Sequence, residues 1–173
     1  MKLLHFLLII VTIGSSSQLN QLYQQREFKK ICRYRWKYIN LYRGKNEPLL
    51  SWVAYSCLKK GNIIPALDVA KNLFQTKEGR ANSVYIATLF LIKKIIYQLI
   101  KDNLMLNNIK LPIIEGDPLG EAFKLISEGK FKRISKNTIS VGNGKYLITA
   151  LSNGNLKVEI YNNGNFQKKE VYW

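Results

Sequence analysis

Three Asn-Gly dipeptides, at Asn143, Asn153 and Asn163, recur every ten residues near the end of the chain. Both residues of the pair accept the positive φ angles that a type I′ hairpin turn requires. The residues between the turns alternate between apolar and polar, as in the run 156–160, which is the pattern of a strand with one buried face. The sequence therefore predicts four short antiparallel strands joined by three turns, a β-meander over residues 131–173.

Before residue 131 the periodicity is helical, because apolar residues recur at steps of three and four. Gly, Pro and short polar stretches divide this part into segments. The predicted helices cover residues 22–42, 48–61, 65–74, 83–102 and 118–129. We therefore expect an α+β protein. An N-terminal bundle of antiparallel helical hairpins, over residues 18–130, would precede the four-stranded meander, and the meander would pack on the helices.

The first seventeen residues have the layout of a secretory signal peptide. Met1 and Lys2 form a positive start, an apolar run over residues 3–13 follows, and small residues then precede Gln18. An uncleaved membrane anchor is the alternative, but this run is too short to cross about 30 Å of hydrocarbon at about 1.5 Å per residue. We expect cleavage and a periplasmic or secreted protein that has lost His5, its only histidine.

Composition limits the chemistry of the mature chain. The sequence has 27 Lys and Arg against 11 Asp and Glu, and it has two Cys. Without histidine, a Ser-His or Cys-His nucleophile pair cannot form and no imidazole can bind a metal. Two cysteines alone do not hold zinc. We therefore expect no metal, no cofactor and no enzyme, while the positive charge favours anionic partners.

The densest acidic group is Glu115, Asp117 and Glu121, in "EGDPLGE". Asp before Pro118 is typical of a helix start, because the carboxylate accepts free N–H groups and Pro fits the first turn. Glu121 would lie near the positive end of the helix dipole. The alternative is a catalytic or calcium-binding carboxylate pair, but the pattern favours the helix cap.

The segment 83–102 is the most apolar part of the mature chain. A membrane span therefore has to be weighed against a buried helix. Lys93 and Lys94 fall in its middle, where charges are costly inside a bilayer. We expect a central helix of the protein core.

The two cysteines predict a disulfide. If the first two helices form an antiparallel hairpin that turns near Lys45, Cys32 and Cys57 lie at matching distances from the turn and face each other. Two such thiols would be joined in an oxidising compartment, closing a loop of about 26 residues. Two separately buried thiols are the alternative.

The best candidate for a binding surface is the basic, aromatic segment "REFKKICRYRWKYINLYRGK". Eight cations lie between Arg26 and Lys45, and only Glu27 opposes them. Such a composition suits anionic head groups, glycans or nucleic acid. The residues predicted to form this surface are Arg26, Lys30, Arg33, Tyr34, Trp36, Lys37 and Tyr38. The solvated face of a structural helix has a similar composition and is the alternative.

Several stretches resemble known families. "VAYSCLKKGNIIPALDVA", with Ala54, Gly61 and Ala66 where two helices would cross closely, is similar to one tetratricopeptide-type (TPR-like) helical hairpin, a protein-binding scaffold. "SNGNLKVEIYNNGNF" resembles the β-repeats of the MORN type, which implies a binding or scaffolding surface. The signal peptide, the strings "YSCLKK", "TKEGRAN" and "KKIIYQLI" and the final Tyr172 and Trp173 resemble a family of exported, uncharacterised bacterial proteins.

These observations lead us to expect a non-catalytic, exported interaction or structural protein of the bacterial cell envelope. It would bind a protein partner or an anionic envelope component, peripheral membrane contact included, and export makes nucleic acid an unexpected ligand. The alternative is an enzyme or inhibitor that acts on envelope polymers through carboxylate, Tyr and Arg residues. A concave pocket with two convergent carboxylates would favour the enzyme, and a flat or convex basic surface would favour the binding protein.

Overall fold

The computed structural model describes residues 18–106, 109–112 and 114–173, so the predicted signal peptide lies outside the described residues. The helices are α1 (residues 18–24), α2 (Phe28–Arg33), α3 (Arg35–Tyr42), α4 (Glu47–Leu58), α5 (Ile63–Ala70), α6 (Lys77–Asp102) and α7 (Pro118–Ser127). The strands are β1 (Phe131–Ser135), β2 (Thr138–Val141), β3 (Tyr146–Ala150), β4 (Leu156–Asn162) and β5 (Asn165–Tyr172). Helices followed by one antiparallel sheet confirm the predicted α+β class.

The predicted first helix, 22–42, is three helices in the structure. The chain breaks at Arg26, whose φ of 55° is left-handed, and again at Tyr34, whose φ of −91° and ψ of 17° are not helical. Neither break uses Gly or Pro, the residues that mark such breaks in a sequence. The prediction of a single helix was therefore wrong, because no residue in the sequence marks either break.

The longest helix, α6, begins six residues before the predicted start at residue 83. Thr76 caps it by accepting a hydrogen bond from the N–H of Gly79. Gly79 falls between the predicted helices 65–74 and 83–102, but in the structure it lies within α6 and leaves room for Glu47, because a Cβ at this position would lie 2.3 Å from Oε2 of Glu47. The Glu47 carboxylate accepts hydrogen bonds from the backbone N–H groups of residues 74–76 and from the Thr76 hydroxyl, and it thereby ties α4 to the start of α6.

The sheet has five strands rather than the predicted four, in the order β1-β2-β3-β4-β5 with every pair antiparallel. The missed strand is β1, whose five residues are all exposed. A strand without a buried face has no apolar alternation, which is the signal on which the strand prediction depended. The loop between β1 and β2 also lacks the Asn-Gly pair that marks the other three connections.

The three Asn-Gly pairs all lie in turns between consecutive strands, as predicted, but only two have positive φ at both residues, as a type I′ turn requires. In the pairs that begin at Asn143 and Asn163, both residues have positive φ. Asn153 is not among the residues with positive φ, and the five residues 151–155 join β3 to β4. The type I′ prediction was therefore wrong at Asn153, where a hydrogen bond from the Leu151 N–H to the Asn155 carbonyl oxygen closes a wider loop than the one from the Lys145 N–H to the Gly142 carbonyl oxygen around Asn143.

Two apolar cores meet along α6. The first core contains the buried faces of α1 to α5 and Ile86 of α6. The second contains Ile63, the later turns of α6, α7 and the inner face of the sheet, including Ile139, Ile148 and Val158. The sheet is thus covered by α6 and α7, and one continuous helix holds the two cores together.

Helix α6 is long and apolar enough to cross a membrane by length and composition, with 26 residues and a mean hydropathy of 1.5 in its most apolar window, half of which is buried. Its buried residues pack in both cores, and Lys93 is itself only 2% exposed. These contacts are those of a central core helix.

The disulfide between Cys32 and Cys57 is present, with an S–S distance of 2.06 Å and a Cα–Cα distance of 4.8 Å. It joins α2 to α4 inside the first core, where both cysteines are buried. The predicted pairing is confirmed. A disulfide is compatible with an oxidising, exported location.

Candidate functional site

The predicted basic surface divides into six exposed residues and one buried residue. Arg26, Lys30, Arg33, Tyr34, Trp36 and Lys37 are exposed, on α2, α3 and the turns beside them, and we keep the name basic surface for these six. Tyr38 is 1% exposed and stacks on Tyr42 in the first core, so its aromatic ring is a packing element. Arg26, Lys30 and Arg33 have no ion-pair partner within the described parts of the chain.

The acidic group 115–121 is a helix cap, as predicted. Asp117 accepts hydrogen bonds from the N–H groups of Leu119 at 2.9 Å and Gly120 at 3.4 Å. Glu121 instead accepts from the Tyr146 hydroxyl and from Lys145, and so it joins α7 to β3. In residues 18–106, 109–112 and 114–173, no group of three or more Cys, Asp or Glu side chains is placed to hold a metal ion.

A cleft of about 670 Å³ lies where the helices meet the last strand. None of the residues of the basic surface lines it. It is bounded by α1, α4 and the turn after α4, by the first half of α6, by the loop before α7, and by β5. The lining residues are Tyr23, Ser51, Trp52, Ala54, Tyr55, Leu58, Lys59, Lys60, Gly61, Glu78, Asn82, Tyr85, Ile86, Gly116, Asp117, Pro118, Lys168, Lys169, Glu170 and Val171.

One wall of the cleft is aromatic. Tyr23 stacks on Trp52 with ring centroids 4.8 Å apart, and Phe28 packs edge-on against Tyr55 behind them. We call Tyr23, Phe28, Trp52 and Tyr55 the aromatic cluster. Trp52 and Tyr55 are one helical turn apart on α4, which places both rings on the same face. Tyr55 is 41% exposed, so the cluster offers an apolar ring surface to a ligand.

At the other end of the cleft, two carboxylates converge on one phenol. The Tyr172 hydroxyl lies 3.2 Å from Oδ1 of Asp117 and 2.8 Å from Oε2 of Glu170. Burial raises the pKa of Asp117, against the lowering effect of its hydrogen bonds from Leu119, Gly120 and Tyr172. Burial also raises the pKa of Tyr172, and the charges of Asp117 and Glu170 raise it further.

Tyr85 also lines the cleft. Burial, followed by the charges of Asp117 and Tyr55, raises its pKa to about 12.

Four lysines surround the mouth of the cleft. Lys168 forms an ion pair with Glu170 at 2.8 Å. The Lys59 ammonium lies 4.9 Å from the centre of the Tyr55 ring, and a hydrogen bond to Tyr55, opposed by burial, raises the pKa of Lys59. Lys60 and Lys169 are exposed and have no ion-pair partner in the described chain. The lining thus contains four lysines and three carboxylates, Glu78, Asp117 and Glu170, of which Glu170 is paired with Lys168.

Comparison of the chain with protein-family models, curated proteins and solved structures finds no match, so the cleft has to be interpreted from its own residues. Sequence reasoning did not find this cleft, because its residues come from five separate parts of the chain. One local signal existed: Trp52 and Tyr55, with Leu58, follow each other at three-residue steps on α4, but the same spacing is typical of a core stripe.

Proposed function

We propose that this protein is a non-catalytic, exported interaction protein of the cell envelope and that the cleft between the helices and β5 holds its partner. The observation that carries the proposal is the composition of the cleft. An aromatic wall, of which Tyr55 is 41% exposed, supplies apolar contact area, and Lys60 and Lys169, which have no ion-pair partner in the described chain, attract negative charge. The likeness of α4 and α5 to a tetratricopeptide-type hairpin is compatible with a protein partner.

The convergent carboxylates meet the criterion we set for an enzyme, yet their geometry argues for a structural role. Both bond to the same oxygen of Tyr172, so their own oxygen atoms are at most about 6 Å apart. Glycosidases place two carboxyl groups about 5–9.5 Å apart with the scissile bond or a water between them. Here the buried phenol of Tyr172 fills that space, and Asp117 is further engaged as the cap of α7.

Export supports an envelope partner. The disulfide in the first core is compatible with an oxidising compartment, and residues 1–17 have the layout of a signal peptide. Intact-mass measurement of the protein from its own host, with and without alkylation, tests this directly. We expect the loss of about the first seventeen residues and of two hydrogen atoms. A full-length mass would contradict the proposed location.

Site-specific photo-cross-linking in the host tests the cleft. A benzoylphenylalanine at Tyr55 reports on the aromatic wall, and the same group at Phe74, which is exposed but outside the cleft, is the matched control. We expect a discrete adduct with an envelope component from position 55 and none from position 74. Equal adducts at both positions would contradict a specific cleft.

A second candidate site is the basic surface. Its cations are exposed and unpaired in the described chain, and Trp36, 52% exposed, lies among them. This composition suits an anionic surface such as a phospholipid headgroup layer. The cross-linking group at Trp36 separates this site from the cleft. Binding to anionic vesicles that weakens as salt is raised would support it, and binding that is independent of salt would exclude the electrostatic version.

Catalysis is the alternative that these sites leave open to experiment. Soluble fragments released from purified envelope polymers by the wild-type protein, but not by Glu170→Gln, would refute the non-catalytic assignment. We expect no release from either protein.

A further inference from the structure

The last strand presents its edge, rather than a face, to the cleft. Four consecutive residues of β5, Lys168, Lys169, Glu170 and Val171, line the cleft. Consecutive residues of a strand point to opposite faces of a sheet, so a wall made of consecutive residues is the edge of the strand. In agreement, β5 is the last strand in the order and pairs with β4 on its other side.

The register indicates which backbone groups point into the cleft. In an antiparallel pair, residues alternate between those that bond the neighbouring strand and those whose N–H and C=O point away from it. Trp173 points away from β4, because its N–H donates to the carbonyl oxygen of Gly61 at 2.8 Å. Val171 and Lys169, two and four residues earlier, have the same orientation. Their N–H groups have no other partner in the described chain.

The free part of this edge is short. On one side the turn after α4 closes it, since a Cβ on Gly61 would lie 1.9 Å from the carbonyl oxygen of Val171. On the other side the register with β4 shifts at Gln167, and such a bulge twists an edge away from further pairing. The open groups are therefore the N–H and C=O of Lys169 and the N–H of Val171, enough for a segment of three or four residues.

The charges around the edge select the occupant. Lys59, Lys60 and Lys169 have no ion-pair partner in the described chain, and they outnumber the one exposed carboxylate of the lining, that of Glu78, so they favour acidic residues. A second copy of this chain, paired through the same edge, would bring its own Lys168 and Lys169 against these lysines, and like charges on paired strands are destabilising. The chain's own first seventeen residues contain no Asp or Glu.

We propose that the cleft binds a short, acidic, extended segment of a partner protein, which pairs with the outer edge of β5 as a sixth strand. Backbone hydrogen bonds to Lys169 and Val171 hold the segment, its acidic residues face the lysines at the mouth, and an apolar side chain packs on the aromatic cluster. This inference rests on the proposed function and specifies the ligand of the same cleft.

The test selects peptides from a display library of random dodecapeptides on the disulfide-bonded protein purified from its own host. The affinity of the selected peptides is then measured for Lys169→Pro and Lys169→Ala. Lys169 pairs with Glu159 without exchanging backbone bonds, so proline there removes the outward N–H and leaves the β4 ladder intact. Alanine keeps the N–H and removes only the charge.

We expect acidic peptides with one or more apolar residues. Their affinity should fall about tenfold or more in Lys169→Pro and only about threefold in Lys169→Ala. A second measurement leaves the protein unchanged: methylation of successive backbone nitrogens of the best peptide should abolish binding at alternate positions. Selected peptides that bind Lys169→Pro as tightly as Lys169→Ala, with no effect of backbone methylation, would overturn the pairing.

Failure of this inference is distinguishable from failure of the proposed function. Peptides that lose affinity in Tyr55→Ala but not in Lys169→Pro occupy the cleft without strand pairing, so the function survives and the inference fails. If no peptide is enriched on the wild-type protein relative to the Tyr55→Ala variant, both the inference and the proposed function are contradicted. Selection of neutral or basic peptides would overturn the charge argument alone.

Discussion

Removing the disulfide should destabilise the protein by an amount that follows from its position. Cys32 and Cys57 are 25 residues apart and close a loop of about 26 residues. The chain-entropy estimate for such a loop is about 3.5 kcal/mol at 25 °C. For a chain of this length, each kcal/mol shifts the melting temperature by about 2–4 °C. We therefore expect Cys57→Ser to melt about 7–14 °C below the oxidised wild-type protein.

Calorimetry or circular dichroism with and without reductant checks this value. Both cysteines are buried in the first core, so Cys32→Ser is the matched control: it breaks the same bond from the other side. The two variants should lose similar stability under oxidising conditions, and reductant should bring the wild-type protein close to them. The reasoning would be refuted if oxidised and reduced wild-type protein melted at the same temperature, or if the variants lost equal stability relative to the wild type with reductant present.

Three further predictions concern buried polar groups. Burial raises the pKa of Glu47, but hydrogen bonds from Thr76 and from the backbone of residues 74–76 lower it from 4.5 to about 2. The free energy of unfolding, measured by urea titration, should therefore fall between pH 4.5 and pH 2, and Glu47→Gln should be less stable at pH 7 and depend less on pH in that window. Tyr172→Phe should lose about 1–3 kcal/mol in urea unfolding, because the carboxylates of Asp117 and Glu170 lose the single hydroxyl donor that they share. The Lys93 ammonium donates to Asn155 inside the second core, and burial lowers the pKa of Lys93. The variant Lys93→Met should therefore melt at a higher temperature than the wild type at pH 7, and this difference should shrink as the pH approaches 10.5.

The parts of the fold that could be predicted carry local signals. Pro118 after Asp117 marks the start of α7, and the alternation of β3 and β4 with Asn-Gly turns marks the hairpins. The disulfide followed from the position of the two cysteines around one turn. The features that the sequence did not predict lack such signals. Arg26 breaks a helix by adopting a left-handed conformation, which is not expected of arginine, and β1 has no buried face.

The candidate site could not be predicted, for a physical reason that distinguishes it from the basic surface. The basic surface is contiguous, so a run of cations in the sequence is sufficient to indicate it. The cleft forms where the last strand docks on the helices, and Trp173 bonds to Gly61 and Tyr172 to Asp117 there, contacts that span 112 and 55 residues. These contacts bring the C-terminal strand against the helices, and the edge of β5 becomes a wall of the cleft. The residues of such a site are present in the sequence, but only the folded structure shows that they lie together.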